Sequence, residues 1–276
     1  MDSKLKIALF GCGKMGSALL RGWIDSEIAE HITVVDPYGL PSEFEQYKDN
    51  LLTFHSDLTE ISSRSEQVDA IILAVKPQLV GDVCVKINDL KLASTNTIFI
   101  SIAAGQSLNN IEAAIGNTYP VIRAMPNTPA AIGKAITAAC PNSAAQKQER
   151  QKAQKILSAI GIVEWIADES LMDAITAVSG SGPAYLFYLI EALAAAGEKA
   201  GLDNELSIKL ARQTVIGAAG LAENENELSA AQLRENVTSP GGTTAAALEV
   251  LMDGELQEIM NMAVKAATKR SKDLNS

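Results

Sequence analysis

The sequence is poor in the residues that carry most metal-assisted, nucleophilic and disulfide-stapled chemistry. Only two histidines, His31 and His55, occur in 276 residues, and neither belongs to a cluster with metal-ligand spacing, so no metal site is expected. Three cysteines, Cys12, Cys84 and Cys140, cannot pair completely, and none sits in a Cys-x-x-Cys arrangement. That argues against a disulfide scaffold or structural zinc and fits a reducing compartment. No Gly-x-Ser-x-Gly elbow stands at a strand-to-helix junction. Aromatic residues are only 4% of the chain, so the core must rest on small aliphatic side chains. No uninterrupted apolar stretch reaches the roughly 18 to 20 residues needed to span a bilayer. The first residues run straight into a short apolar segment broken at Gly11, without a signal-peptide pattern, and the expectation is a soluble, cytoplasmic protein. Cations are also in the minority: 23 Lys+Arg face 33 Asp+Glu, a net charge of −10. Such a surface repels a phosphate backbone or an anionic bilayer, which argues against nucleic-acid and membrane partners. An anionic ligand must therefore be held by local donors.

What is present has two textures. At roughly 100 to 200 residues per domain, the length favours two domains. From the start to Ile166, short apolar runs alternate with helical patterns. Strands are predicted at Lys6–Phe10, Ile32–Asp36, Leu52–Phe54, Ala70–Val75, Thr97–Ile102, Val121–Met125, Ala135–Ala139 and Ile162–Ile166. Helix-length amphipathic segments include Met15–Ser26, Gln78–Leu90 and Ala144–Ala159. This alternation predicts a mostly parallel sheet covered on both faces, with the last strands open to antiparallel pairing. After Ala167 only long helical stretches rich in Ala, Leu, Ile and Met follow. Pro183–Ala200 and Ser207–Leu221 are apolar around most of their circumference, and Glu223 to Glu227 reads as a solvated loop. A helical domain of about 110 residues cannot hide two such helices, so a subunit interface is their expected destination. The fold class is thus a Rossmann-like α/β domain, residues 1–166, followed by an all-α domain, residues 167–276.

Gly11-Cys12-Gly13-Lys14-Met15-Gly16 follows the first strand and opens the first helix, and Asp36 ends the second strand. This is the dinucleotide-binding fingerprint in its required context. Gly11 permits the tight turn, Gly13 admits the pyrophosphate, and Gly16 lets helix and sheet pack closely. Phe10, Gly11, Cys12, Gly13, Lys14 and Met15 are accordingly expected to line the cofactor. Ala74-Val75-Lys76-Pro77 and Ser101-Ile102-Ala103-Ala104-Gly105 end later strands, where the ribose and nicotinamide would lie. Lys76 there reads equally well as a solvated loop lysine.

These two runs are followed by Arg123-Ala124-Met125-Pro126-Asn127-Thr128-Pro129, Val178-Ser179-Gly180-Ser181-Gly182-Pro183-Ala184-Tyr185 and Thr238-Ser239-Pro240-Gly241-Gly242-Thr243-Thr244. In this order the set resembles the pyrroline-5-carboxylate reductase family over nearly the whole chain. The resemblance implies reduction of a cyclic imine to L-proline by a nicotinamide cofactor, NADPH or NADH, in the last step of proline biosynthesis. It also implies a helical domain that dimerises, with each active site between the nucleotide domain of one subunit and its partner's helices. Positions matching Thr243 and Thr244 contact the product, the latter through a hydroxyl near the ring nitrogen. Those matching Asn236 and Ser56 lie near the cofactor, and that matching Glu169 near the ligand.

Read without the resemblance, Ser239, Gly241 and Gly242 are turn residues before a helix at Ala245–Met252 that Thr243 or Thr244 could cap. Such an entrance binds a carboxylate without a cationic side chain, and an ordinary capped loop has the same pattern. Pro183 suits the first helical position, with Gly180 to Gly182 serving close packing or ligand contact. His31, before the second strand, and His55, after the third, are not placed as bases. Competing readings are a reductase of another cyclic imine, a hydroxyacid dehydrogenase, or a nucleotide-sensing scaffold. Relatives commonly use NADPH, whereas a carboxylate at Asp36 favours NADH. A solvent-facing loop and a rotating side chain would soften that preference, so both cofactors are expected to work, with NADH less disfavoured than usual.

Overall fold

The alternation of Ile7 and Leu9 with Ala8 and Phe10 in β1 (Leu5–Phe10) sends apolar side chains to both faces of a sheet. Both faces must therefore be covered, as expected of a parallel α/β sheet. The structure, a computed structural model, describes residues 4–61, 67–116 and 118–275. The first three residues, with which the leaderless reading begins, lie outside them. Two compact units emerge: residues 1–180 with 268–276, and residues 181–267.

The first unit is built on β1, β2 (Ala29–Val35), β3 (Leu52–His55), β4 (Ala70–Leu73), β5 (Ile98–Ser101), β6 (Val121–Met125), β7 (Ala135–Pro141) and β8 (Gly161–Trp165). They form one sheet in the order β3-β2-β1-β4-β5-β6-β7-β8. The first six are parallel, β7 runs antiparallel to β6, and β8 is parallel to β7. The helices α1 (Lys14–Asp25), α2 (Val80–Asp89), α3 (Leu108–Ile115) and α4 (Lys147–Ser158) supply the cover. Leu19, Leu20 and Trp23 of α1 and Ile156 and Leu157 of α4 pack on one face, and Cys84, Ile87 and Ile111 of α2 and α3 on the other. The Trp23 indole N–H donates to the Ile156 carbonyl at 3.0 Å. All three thiols are buried, and burial pushes that of Cys84 up to about 12.

Three local expectations change. Helix α3 was not anticipated; Ser107 caps it by accepting from the Asn110 N–H. His31 lies within β2 rather than before it, with its Nε2 3.1 Å from Thr53 Oγ1. It is not at the adenosine end, because it pairs in register with Lys6 near the start of the strands. His55 ends β3 rather than following it.

Beyond β8 come α5 (Met172–Ile175) and one π-helical turn, Thr176–Gly180. The second unit contains α6 (Gly182–Lys199), α7 (Asn204–Asn224), α8 (Ala230–Asn236), α9 (Thr243–Leu251) and most of α10 (Glu255–Asn275). Pro183 occupies the second position of α6, not the first. Helix α7 runs on to Asn224, so the expected loop begins later. Only Ala194, Ser207 and Ala211 are buried along α6 and α7, while Leu186, Phe187, Tyr188 and Ile216 are more than half exposed. Contiguous apolar faces of this kind mark an association surface. Among the described residues no helix is long and apolar enough to cross a membrane.

Candidate active site

In a doubly wound sheet, ligands bind beyond the carboxyl ends of the strands where the order reverses, here between β1 and β4. The glycine loop leaves β1 at that point. Gly11 has a φ of +96°, and a Cβ there would lie 2.6 Å from the Ala74 carbonyl oxygen. Only glycine satisfies both demands. A Cβ on Gly16 would run into the Gly11 carbonyl oxygen, so its absence lets α1 seat on the loop. Gly13 is different: a Cβ there would meet nothing within 4 Å.

Gly13 is also the N-cap of α1, with no side-chain cap bond and no acidic residue in the first turn. No side chain of the helix therefore caps or competes for the first-turn N–H groups. They and the helix dipole are suited to an anion, and the open space before Gly13 fits a pyrophosphate. Phe10 and Cys12 are buried beside the loop, Lys14 is exposed and Met15 half-buried. The Ser17 hydroxyl donates to the Cys12 carbonyl at 2.8 Å and fixes the loop's inner side.

Asp36 follows β2. Its carboxylate accepts from the Cys12 N–H at 2.5 Å and from the Tyr38 N–H at 2.8 Å. The residue is only 6% exposed. The expected solvent-facing, freely rotating carboxylate is thus replaced by a buried one held at both oxygens. A cavity of about 200 Å³ adjoins it, lined by Phe10, Val35, Ser56, Asp57, Val75 and Lys86 among others. Ser56 is exposed, and its hydroxyl donates to Glu60 Oε1 at 2.5 Å while its N–H donates to Oε2 at 2.9 Å. Bonds from Thr59 hold the Asp57 carboxyl below the usual carboxylate value, and bonds from Ser56 do the same for Glu60. Asp57, Glu60 and Lys86 were not anticipated here; an acid four residues after Ser56 was the available signal.

The two later loops meet the same strand ends. The Ala74 N–H donates to the Phe10 carbonyl at 2.8 Å and the Ile102 N–H to the Leu73 carbonyl at 3.1 Å. Gln106 Nε2 donates to the Pro77 carbonyl at 3.1 Å, tying one loop to the other. Ala74, Val75 and Ile102 are half-buried, Ala103 is buried, and Lys76 and Ala104 are exposed. Small side chains at 103 and 104 leave room beside β5.

Glu169 has protein partners. Its Oε1 accepts from Arg123 Nη1 at 2.6 Å and from the Leu108 N–H at 2.8 Å. The pair joins β6 to the start of α3, with side chains 9% and 25% exposed. Asn127 likewise spans motifs, donating to the Ser179 carbonyl at 3.1 Å and accepting from the Ile136 N–H at 3.0 Å. It ties the 123–129 segment to the π-helical turn.

In the second unit, Asn236 is exposed at the end of α8, and residues 237–242 lead into α9. The N-cap of α9 is Gly242, not either threonine, and no side chain caps it. The Gly242 N–H turns back to the Ser239 carbonyl at 3.0 Å after Gly241, whose φ is +68°. Thr243 and Thr244 are the first two helical residues, and both are exposed. The cap expectation fails because glycine in the extended conformation enters the helix without a hydroxyl. The first turn is left without a side-chain cap, beside two exposed threonines.

Residues 6–105 match the family profile described as "NADP oxidoreductase coenzyme F420-dependent", and residues 169–274 match "Pyrroline-5-carboxylate reductase dimerisation". A pyrroline-5-carboxylate reductase of Pseudomonas aeruginosa is 36% identical over 271 residues, 98% of this chain and 96% of the relative. A solved pyrroline-5-carboxylate reductase from Coxiella burnetii superposes with a TM-score of 0.88 at 34% identity, covering 99% of this chain and 100% of that one. A Plasmodium falciparum pyrroline carboxylate reductase solved with NADP bound gives a TM-score of 0.79 at 32% identity, covering 99% of this chain and 98% of that one. On full-length similarity of both sequence and fold, the chain belongs to the pyrroline-5-carboxylate reductase family.

Proposed function

We propose that this chain reduces 1-pyrroline-5-carboxylate to L-proline, with NAD(P)H as the electron donor, in the last step of proline biosynthesis. The observation that carries the reading is the entrance to α9. Its first turn has no side-chain cap and begins with two exposed threonines, which suits it to an anion in a net-acidic chain that also carries the glycine cradle. A small substrate with one carboxylate and one imine nitrogen suits that turn, with the carboxylate on the N–H groups. When bound, the nicotinamide cofactor supplies a hydride to the imine carbon.

The chain's own residues bind and orient. Phe10 to Met15 and the first turn of α1 hold the pyrophosphate. Asp36 and Ser56 flank the adenosine ribose. Ala74 to Pro77 and Ile102 to Ala104 border the nicotinamide half, and the family resemblance assigns Asn236 to cofactor binding. Ser239, Gly241, Gly242 and Thr243 hold the substrate carboxylate, and the Thr244 hydroxyl oxygen accepts from the ring N–H. The iminium carries its own positive charge, so the carbon is electrophilic without a metal or a protein nucleophile. Positioning is then the main task. Glu169 acts through the Arg123 and Leu108 bonds that brace the loop after β5. The helical unit, exposed as a monomer, forms a dimer through α6 and α7.

The test is an absorbance assay of nicotinamide oxidation with pyrroline-5-carboxylate, piperideine carboxylate and 2-keto acids in parallel. Turnover fastest with the first is expected; no turnover with it overturns the assignment. The assay separates this reading from an imine reductase of other specificity, a hydroxyacid dehydrogenase and a non-catalytic homologue.

A further inference from the structure

We infer that the adenosine end of this site selects NADH over NADPH, with Asp36 as the specificity-determining residue. The inference rests on the proposed assignment of the Gly11 to Gly16 loop to a nicotinamide dinucleotide.

The two oxygens of a carboxylate offer about four lone-pair sites. The N–H groups of Cys12 and Tyr38 take one on each oxygen and leave capacity for two hydroxyl donors. A ribose with free 2′- and 3′-hydroxyls supplies two donors. A 2′-phosphate supplies acceptors and a charge of about −1.5 to −2. It would face a carboxylate that cannot turn away without breaking both backbone bonds.

The neighbours do not offset this charge. Asp36 is followed by Pro37, Tyr38, Gly39, Leu40 and Pro41, none of them a cation. The hydroxyl of Ser56, a donor able to serve ribose or phosphate, is already given to Glu60, and a phosphate would have to displace that carboxylate. Across the adjoining cavity stand Asp57 and Asp82, with Lys86 the one cation among the described lining residues. Phosphate recognition in this fold normally uses an arginine close to the end of the second strand. Here that end carries Asp36, and the turn after β3 carries Asp57 and Glu60. Burial of Asp36 also removes most of the ionic screening that would weaken the repulsion on an open surface.

The experiment is equilibrium titration of the full-length protein with NADH and with NADPH separately, read by nicotinamide fluorescence and by calorimetry, without substrate. NADH is expected to bind about tenfold or more tightly than NADPH, from like charges at short range in a partly desolvated site. Asp36→Ser is expected to move the ratio of dissociation constants toward NADPH by a similar factor. Glu60→Gln, an exposed substitution that keeps the Cys12 and Tyr38 bonds, should move it the same way by about two- to threefold. NADPH binding as tightly as NADH to the unsubstituted protein overturns the inference. So does a ratio that neither substitution moves. Failure of both cofactors to bind would instead refute the assignment of the glycine loop.

Discussion

Substituting each of two glycines of the cradle by alanine should separate folding from cofactor binding. At Gly16 the new methyl would collide with the Gly11 carbonyl oxygen, a backbone atom that cannot swing aside. The helix must lift or the loop must shift, and overpacking of this kind costs about 1 to 3 kcal/mol. At Gly13 the methyl meets no protein atom within 4 Å, and the backbone (φ −69°, ψ −167°) is open to any L-residue. Stability should then fall by no more than about 1 kcal/mol, because alanine is a poorer N-cap than glycine while the stiffer unfolded chain offsets part of that loss. The methyl does occupy the space in front of the first-turn N–H groups. Holding the pyrophosphate away from them forfeits the close approach, for which the same overpacking range of about 1 to 3 kcal/mol applies, or roughly five- to 150-fold in Kd. Urea unfolding and titration with reduced nicotinamide cofactor measure the two effects independently. The expected pattern is Gly13→Ala stable but weak-binding, and Gly16→Ala destabilised. Gly13→Ala binding like the unsubstituted protein would refute the placement of the pyrophosphate.

Three further outcomes follow from the same geometry. Thr244→Val keeps size while removing the hydroxyl, and should retain fold and cofactor binding but lose about 2 to 4 kcal/mol of barrier lowering in kcat; a variant with unchanged kcat would reduce Thr244 to a helix-entry residue. Glu169→Ala leaves the buried Arg123 guanidinium without its carboxylate and should destabilise by about 3 kcal/mol in urea; an unchanged midpoint with a raised KM would instead make Glu169 a direct ligand contact. The apolar faces of α6 and α7 should keep the protein dimeric by sedimentation at micromolar concentration, and a folded, active monomer would refute that assignment.

The residues that announce themselves in the sequence are those whose role is local. Short apolar runs such as Val121–Met125 are strands because both faces of the sheet are buried, and that pattern needs no partner to be read. The glycine loop is legible because φ and close approach exclude other residues at Gly11 and Gly16. Helix α3 was missed because eight residues give little periodicity; the signal available was Ser107 three before Asn110. His31 was misplaced because the polar half of an alternating strand looks like its approach. What sequence could not give were the long-range bonds. Asp36 was recognisable as the acid of the fingerprint, but its restraint comes from Cys12, 24 residues away. Arg123 and Glu169 are 46 residues apart, and nothing local to either announces the pair.

The pattern of helix caps connects these observations to the chain's charge. Ser107, Asp203 and Ser229 cap α3, α7 and α8, each accepting from an N–H three residues on. Helices α1 and α9 begin after glycines, Gly13 and Gly242, with no side-chain cap, and α2, α4, α5 and α6 lack one as well. An uncapped first turn forgoes about 1 kcal/mol of helix stability, so a sequence with serines and aspartates to spare gains nothing structural from it. The omission makes sense where another acceptor completes the turn. On the proposed function, a pyrophosphate before α1 and a carboxylate before α9 would be such acceptors, and both are anions brought to a protein of net charge −10. Arginine or lysine clusters would bind them too, but would also attract other polyanions. Backbone N–H groups at two helix entrances bind anions only where the shape admits them. On this argument, restoring a side-chain cap by Gly242→Ser should make α9 more stable and the substrate carboxylate weaker-bound. A lower KM for pyrroline-5-carboxylate in that variant would show that the entrance is not the carboxylate site.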